Sequence, residues 1–174
     1  MDWRPLCIVR GMASSDTHIL VLGLGNTLLT DEAVGVRVVE QLRELPGDDI
    51  ADLRLLDGGT MGLTLLVDME DSAAMIVIDA AYLDQPAGSV QVFEGEEMDL
   101  FLRTRSRNAH DIGLDDLMDA LRLREAVPEK RALIGIQPAN LSVGECLTDD
   151  VAKAVPVAAT SIMQLVERWR GDGF

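Results

Sequence analysis

Apolar and polar positions follow one another along the chain in a repeating strand–helix order. The run "HILVLGLG" (18–25) is short, apolar and closed by glycine, which predicts a buried strand. "DEAVGVRVVEQLREL" (31–45) places Val34, Val38 and Leu42 at helical spacing and stops at "PGDD", so a helix is expected there. "ADLRLLD" (51–57) alternates like a strand, "MGLTLLVDME" (61–70) fits a short helix, and "AAMIVIDA" (73–80) is another buried strand. "LDQPAGSVQVFEG" supplies a turn and a strand, and the short turn predicts antiparallel pairing with its neighbour. "DIGLDDLMDALRLRE" (111–125) is an amphipathic helix and "RALIGIQP" (131–138) the last strand. "LTDDVAKAVPVAATSIMQLVERWR" is a long C-terminal helix that Pro156 is expected to kink or divide. The order predicts an α/β three-layer sandwich, with a mainly parallel (mixed) twisted sheet of about five strands and helices on both faces.

Composition narrows this picture. A chain of 174 residues suits one domain with a sizeable core, and 48% hydrophobic residues argue against disorder. Residues 1–17 lack a continuous apolar region, so they are read as a disordered extension rather than a secretory signal, with Met12 an alternative start and 18–174 a single domain. No apolar run reaches the roughly 18 residues of a membrane span. Cys7 and Cys146 form neither a disulfide framework nor a CxxC pair, and a reduced, cytoplasmic setting is the simplest expectation. With 15 basic and 30 acidic residues the formal charge is -15, a field that repels nucleic acid and anionic membranes and tolerates cations and basic peptides.

Sites in such folds form beyond the carboxyl ends of the strands. That rule selects Asn26, Asp31 and Glu32 after the first strand, "DGGT" (Asp57, Gly58, Gly59, Thr60) after the second, Asp79 at the end of the third, and His110 before the 111–125 helix. The glycine-rich turn "GLGN" suggests a nucleotide, but Leu28 stands where a dinucleotide fingerprint needs its third glycine, and no lysine precedes Lys130. Asp31 and Glu32 put negative charge where a phosphate would sit; one carboxylate can cap the helix while the other faces the site. Glu32, Asp79 and His110 together offer two oxygens and one nitrogen, a set suited to a borderline divalent metal with open positions. Each also has an ordinary reading: Glu32 complementing the helix dipole, Asp79 capping a turn, His110 bonding backbone at a helix entry. "DGGT" reads as a turn or as a flexible loop lining the site. Cys146 is expected to be a buried small side chain, Cys7 and Ser142 lack an activating partner, and "EGEEMD" (94–99) reads as solvated surface.

"LVLGLGNTLLTDEAVGVRVVEQL", "LLDGGTMGLTLL", "VIDAAYLDQPAGSV", "AHDIGLDDLM" and "IGIQPANLSVGECLTDDV" occur in that order over residues 18–170. Together they resemble the hydrogenase maturation endopeptidases, and most of all those serving uptake hydrogenases. Two features depart from the family's pattern: the N-terminal extension, and Ala33 where many members have glycine. The resemblance implies a metal-dependent, aspartic-like endopeptidase that removes a short C-terminal extension from the nickel-loaded large-subunit precursor of a nickel-iron hydrogenase. It implies metal ligation by Glu32, Asp79 and His110, with nickel arriving in the substrate and another divalent ion able to occupy the same site in the isolated protein. On that basis Glu32, Asp79 and Asp57 are expected as catalytic carboxylates, and Gly58, Gly59, Thr60 and Asn26 as peptide contacts. The residues alone also admit a non-hydrolytic nickel-binding or sensing module, or a nucleoside-type enzyme on a similar fold.

Overall fold

A computed structural model describes residues 18–105 and 113–173. The expected extension 1–17 lies outside the described residues. Five strands form one sheet: β1 (Ile19–Leu24), β2 (Leu53–Gly59), β3 (Ala74–Ala80), β4 (Val90–Glu94) and β5 (Lys130–Ile136), in the order β2-β1-β3-β5-β4. β2, β1, β3 and β5 run parallel. β4 is antiparallel and sits at the edge, paired with β5 and not with the strand that precedes it. The turn after β3 therefore leaves room for β5 between β3 and β4.

Alternation along the strands builds two cores. Ile19, Val21, Ile76, Ile78 and Ile134 face α1 (Val34–Leu42) and α5 (Asp149–Gly171), whereas Leu20, Leu22, Met75, Val77 and Leu133 face α2 (Leu66–Glu70), α3 (Glu96–Arg105) and α4 (Leu114–Leu123). Side chains of period two on strands buried on both faces give this three-layer sandwich. Among the described residues, no helix is long and apolar enough to cross a membrane.

Three elements differ from expectation. α5 runs unbroken through Pro156, because the proline lies on the exposed face, where water can satisfy the carbonyl it frees. Val151, Val155, Ile162, Leu165 and Trp169 hold the opposite face in the core. "EGEEMD" enters α3 after Gly95 turns the chain at φ 52. Its Met98 is fully buried, and Asp99 pairs with Arg131 at 2.7 Å and Arg122 at 2.9 Å, so this segment is structural rather than solvated. Those guanidiniums hold the Asp99 carboxyl below its ordinary range against the opposing effect of burial. The third difference is at "DGG", which continues β2 instead of forming a loop.

Glycine permits the closest contact between layers. A methyl group on Gly35 would overlap the carbonyl oxygens of Ile78 and Leu24, and one on Gly23 would overlap the Gly35 carbonyl. α1 thus lies directly on β1 and β3. Gly35→Ala is expected to lower stability by at least about 2 kcal/mol, because the obstructing atoms are backbone and cannot turn aside. Urea unfolding of the variant at neutral pH measures it.

Candidate active site at the carboxyl edge

The strand order reverses at β1: the chain leaves β1 for β2 on one side, then crosses to β3 on the other. Such a switch point opens a crevice beyond the strand ends. Glu32 enters it from the 3₁₀ turn Thr30–Ala33, and Asp79 from the penultimate position of β3. Gly25, at φ 129, brings its backbone against the Glu32 carbonyl, where any side chain would collide. The glycines of this turn therefore make room for the protein's own backbone and not for a phosphate.

Glu32 and Asp79 feel one another. Burial pushes the Asp79 carboxyl up to about 7; the Ala80 N–H pulls against that, and the Glu32 charge adds to the rise. Two carboxylates in a partly desolvated crevice favour a shared proton or a cation between them.

Asp31, one residue earlier, meets the opposite environment. Its side chain is fully buried, and Oδ2 accepts from the backbone N–H groups of Ala139 and Asn140, both at 2.9 Å, and from the Thr148 hydroxyl at 3.0 Å. Oδ1 accepts from the Thr148 N–H at 2.7 Å. Burial alone would raise this carboxyl, but the donors of Thr148, Asn140 and Ala139 outweigh it and hold it below its ordinary value. Thr30 adds hydroxyl bonds to the Asn140 and Ser142 carbonyls. Asp31 does not cap its own helix, where no side-chain cap bond forms. It fastens the loop 137–148 to the turn that carries Glu32.

A family model for hydrogenase maturation proteases matches residues 36–165. The chain belongs to the hydrogenase maturation protease family. It is 38% identical over 150 residues to the hydrogenase 2 maturation protease of Escherichia coli K12, covering 84% of this chain and 88% of that one. It is 35% identical over 156 residues to the hydrogenase expression/formation protein HupD of Rhodobacter capsulatus, covering 87% and 72%. Among solved structures, the hydrogenase maturating endopeptidase HybD of Escherichia coli matches with a TM-score of 0.76 and 36% identity over 90% of this chain and 94% of that one.

Within this protease, the other sequence candidates take definite places. Asn26 folds the first loop, its side-chain oxygen accepting from Leu28 N–H at 3.0 Å. Asp57 is exposed and accepts from Gly59 N–H at 2.9 Å. Gly23 pairs with Asp57 and Leu24 with Gly59, so Gly58 is a bulge at the strand end. Gly58 is buried against Leu22, Leu24 and Leu65, Gly59 takes φ 46, and Thr60 is exposed. "DGGT" is thus a bulged strand terminus, and the Gly25 N–H bonds the Gly59 carbonyl at 3.1 Å. His110 lies outside the described residues. Among the described residues, no group of three His, Cys, Asp or Glu side chains could hold a metal. α4 has its Arg122 end beside Asp99 and the start of β5.

Sequence reasoning missed the loop 137–148 as part of this edge. Gln137 accepts from the Leu83 N–H at 2.7 Å, and Thr148 meets Asp31 as described above. Cys146, expected to be buried, is exposed on this loop; its neighbour Leu147 is the side chain that packs against the core. The paired arrangement of Asp31 with backbone donors over a hundred residues away leaves no local signal.

The two acids should respond to pH with opposite sign. Asp31→Asn is expected to lose about 2 kcal/mol at neutral pH, since its amide opposes N–H donors; the deficit is present above about pH 4 and shrinks as the wild-type acid protonates below that. Asp79→Asn is expected to be the more stable protein near pH 8, by on the order of 2 kcal/mol. That gain fades toward about pH 4, because the wild-type penalty develops only between the unfolded and folded pKa values. Denaturant titrations across this range check both.

Proposed function

We propose that this protease removes a short C-terminal extension from the nickel-loaded large-subunit precursor of a nickel-iron hydrogenase. The observation that carries the reading is the placing of Glu32 and Asp79 after β1 and at the end of β3, at the switch point of the sheet, in a chain of the hydrogenase maturation protease family. Such a pair is completed by a cation. The substrate's nickel supplies one, and Glu32, Asp79 and His110 ligate it with two oxygens and a nitrogen. Two relatives, the hydrogenase 2 maturation protease of Escherichia coli and the hydrogenase expression/formation protein HupD of Rhodobacter capsulatus, support a hydrogenase subunit as the target. The isolated protein can hold another divalent ion on the same donors.

Hydrolysis adds the oxygen of water to the scissile carbonyl carbon and sends one proton to the leaving nitrogen. The acids of the site carry that proton; with nickel bound, the Glu32 and Asp79 carboxyls are ionised, so the Asp79 value near 7 belongs to the metal-free protein. Asp57, Gly59 and Thr60 line the peptide's path next to the bulged end of β2, where the buried Gly58 holds the bulge, and Asn26 holds the opposing loop. Nickel acts as the recognition handle, because an O/O/N set has weak intrinsic selectivity and gains it from the soft ligands of the substrate.

Purified protease mixed with nickel-loaded precursor is expected to release the C-terminal tail, seen as a mass loss, while the nickel-free precursor stays intact. Glu32→Gln, Asp79→Asn and His110→Ala are each expected to reduce processing at least 100-fold (about 2.7 kcal/mol in the barrier) and to keep a folded circular-dichroism spectrum. Equal cleavage of both precursor forms would remove nickel from the recognition step. Wild-type processing by all three variants would remove the ligand assignment.

A further inference from the structure

Five of the exposed large apolar side chains belong to the edge that carries the site; Val67, Leu100, Leu123 and Val157 lie on helices elsewhere or at their ends. Leu28, Met61, Leu63, Tyr82 and Val143 are all exposed, from 52% at Met61 to 85% at Val143. They come from the loops after β1, β2, β3 and β5, which all leave the sheet on the carboxyl side. These loops are bonded into one surface: Gly144 N–H to the Leu28 carbonyl at 2.9 Å, Gly25 N–H to the Gly59 carbonyl at 3.1 Å, and Leu83 N–H to Gln137 Oε1 at 2.7 Å. An exposed apolar patch of this kind on a globular protein marks a docking surface.

Charge identifies the occupant. Residues 25–33, 57–65, 81–89 and 137–148 contain no lysine or arginine, while Asp57, Asp84 and Glu145 on them are exposed acids, in addition to Glu32. Arg37 of α1, which reaches the Glu145 carbonyl, is engaged with Glu40 at 3.0 Å. An acidic segment would be repelled here, and a second copy of a chain with formal charge -15 would bring more acid to the same face. The four strand ends span about 15 Å, the reach of roughly five extended residues, and an extended chain turns alternate side chains to opposite sides.

We propose that this rim binds the tail of the substrate as an extended segment in which apolar side chains are interspersed with lysine or arginine. The apolar side chains rest on Leu28, Met61, Leu63, Tyr82 and Val143, and the cations face Asp57, Asp84 and Glu145. The proposal rests on the processing reading of the adjacent site and adds to it the chemistry of the tail.

The test uses the full chain and three labelled ten-residue peptides: valine and leucine interspersed with lysine, the same peptide with glutamate for lysine, and the same with serine for the apolar residues. Fluorescence anisotropy is expected to show binding of the first, weakened by salt, and binding of the other two at least tenfold weaker. The triple variant L28S/Y82S/V143S is expected to lose at least tenfold in affinity for the first peptide, with an unchanged melting temperature, and to raise KM for precursor more than it lowers kcat. Equal affinity for the lysine and glutamate peptides would overturn the proposal, as would wild-type affinity in the triple variant. Sedimentation showing a wild-type dimer that the triple variant abolishes would overturn it too, by making the rim a self-interface. If the lysine peptide binds at the rim but no precursor is ever cut, the processing reading fails and the rim stands. If precursor is cut with the same KM by wild type and variant, the rim fails alone.

Discussion

At Gly35 the backbone of α1 lies against the carbonyls of Leu24 and Ile78 with no space for a methyl group, and at Gly25 the loop backbone lies equally close to Glu32. Everything functional at the carboxyl edge depends on this seating of α1. It brings the turn that precedes the helix over the gap between β1 and β3, so a carboxylate from one strand–helix connection reaches the carboxylate at the end of another strand. With side chains at these glycines the helix would stand off the sheet, and Glu32 and Asp79 would no longer share one crevice.

The consecutive acids show how local environment divides chemically similar side chains between support and chemistry. Asp31 is surrounded by donors, so its charge is stabilised and its position fixed. The Glu32–Asp79 pair has like charge and partial burial, so its ionised form is costly at Asp79. In the proposed function that cost is relieved when the substrate's cation arrives. The buried anchor keeps that unfavourable pair from relaxing apart, since the turn carrying Glu32 is bonded to the start of α5 through Thr148.

The apolar rim fits the same economy. Burying those side chains internally would add stability, and the fold instead leaves them exposed at the edge that carries the acids, where the proposed tail would cover them. The two cores above and below the sheet are filled without them, so the rim can vary in chemistry without disturbing the packing that positions the site.

The five strands, the helices other than α3, the three-layer class and the locations of Asn26, Glu32, Asp57 and Asp79 at strand ends were legible in the sequence. Burial on both faces of a parallel sheet writes itself as continuous apolar runs such as "ILVL" and "MIVI", and the turn residues mark where those runs stop. α3 was not legible, because only Met98 among its first residues is fully buried and its acids look solvated until Arg131 and Arg122 are brought to Asp99. The placement of β5 between β3 and β4, the continuity of α5 through Pro156 and the exposure of Cys146 were likewise undetermined by local pattern. The sequence by itself determined that Asn26, Glu32, Asp57 and Asp79 stand at the carboxyl edge, since periodicity and turn chemistry are local properties of the chain, but not that the loop 137–148 joins them. Only the tertiary structure decided that Asp31 is an anchor while Glu32 faces Asp79, because that difference is made by Ala139, Asn140 and Thr148, donors supplied from more than a hundred residues away.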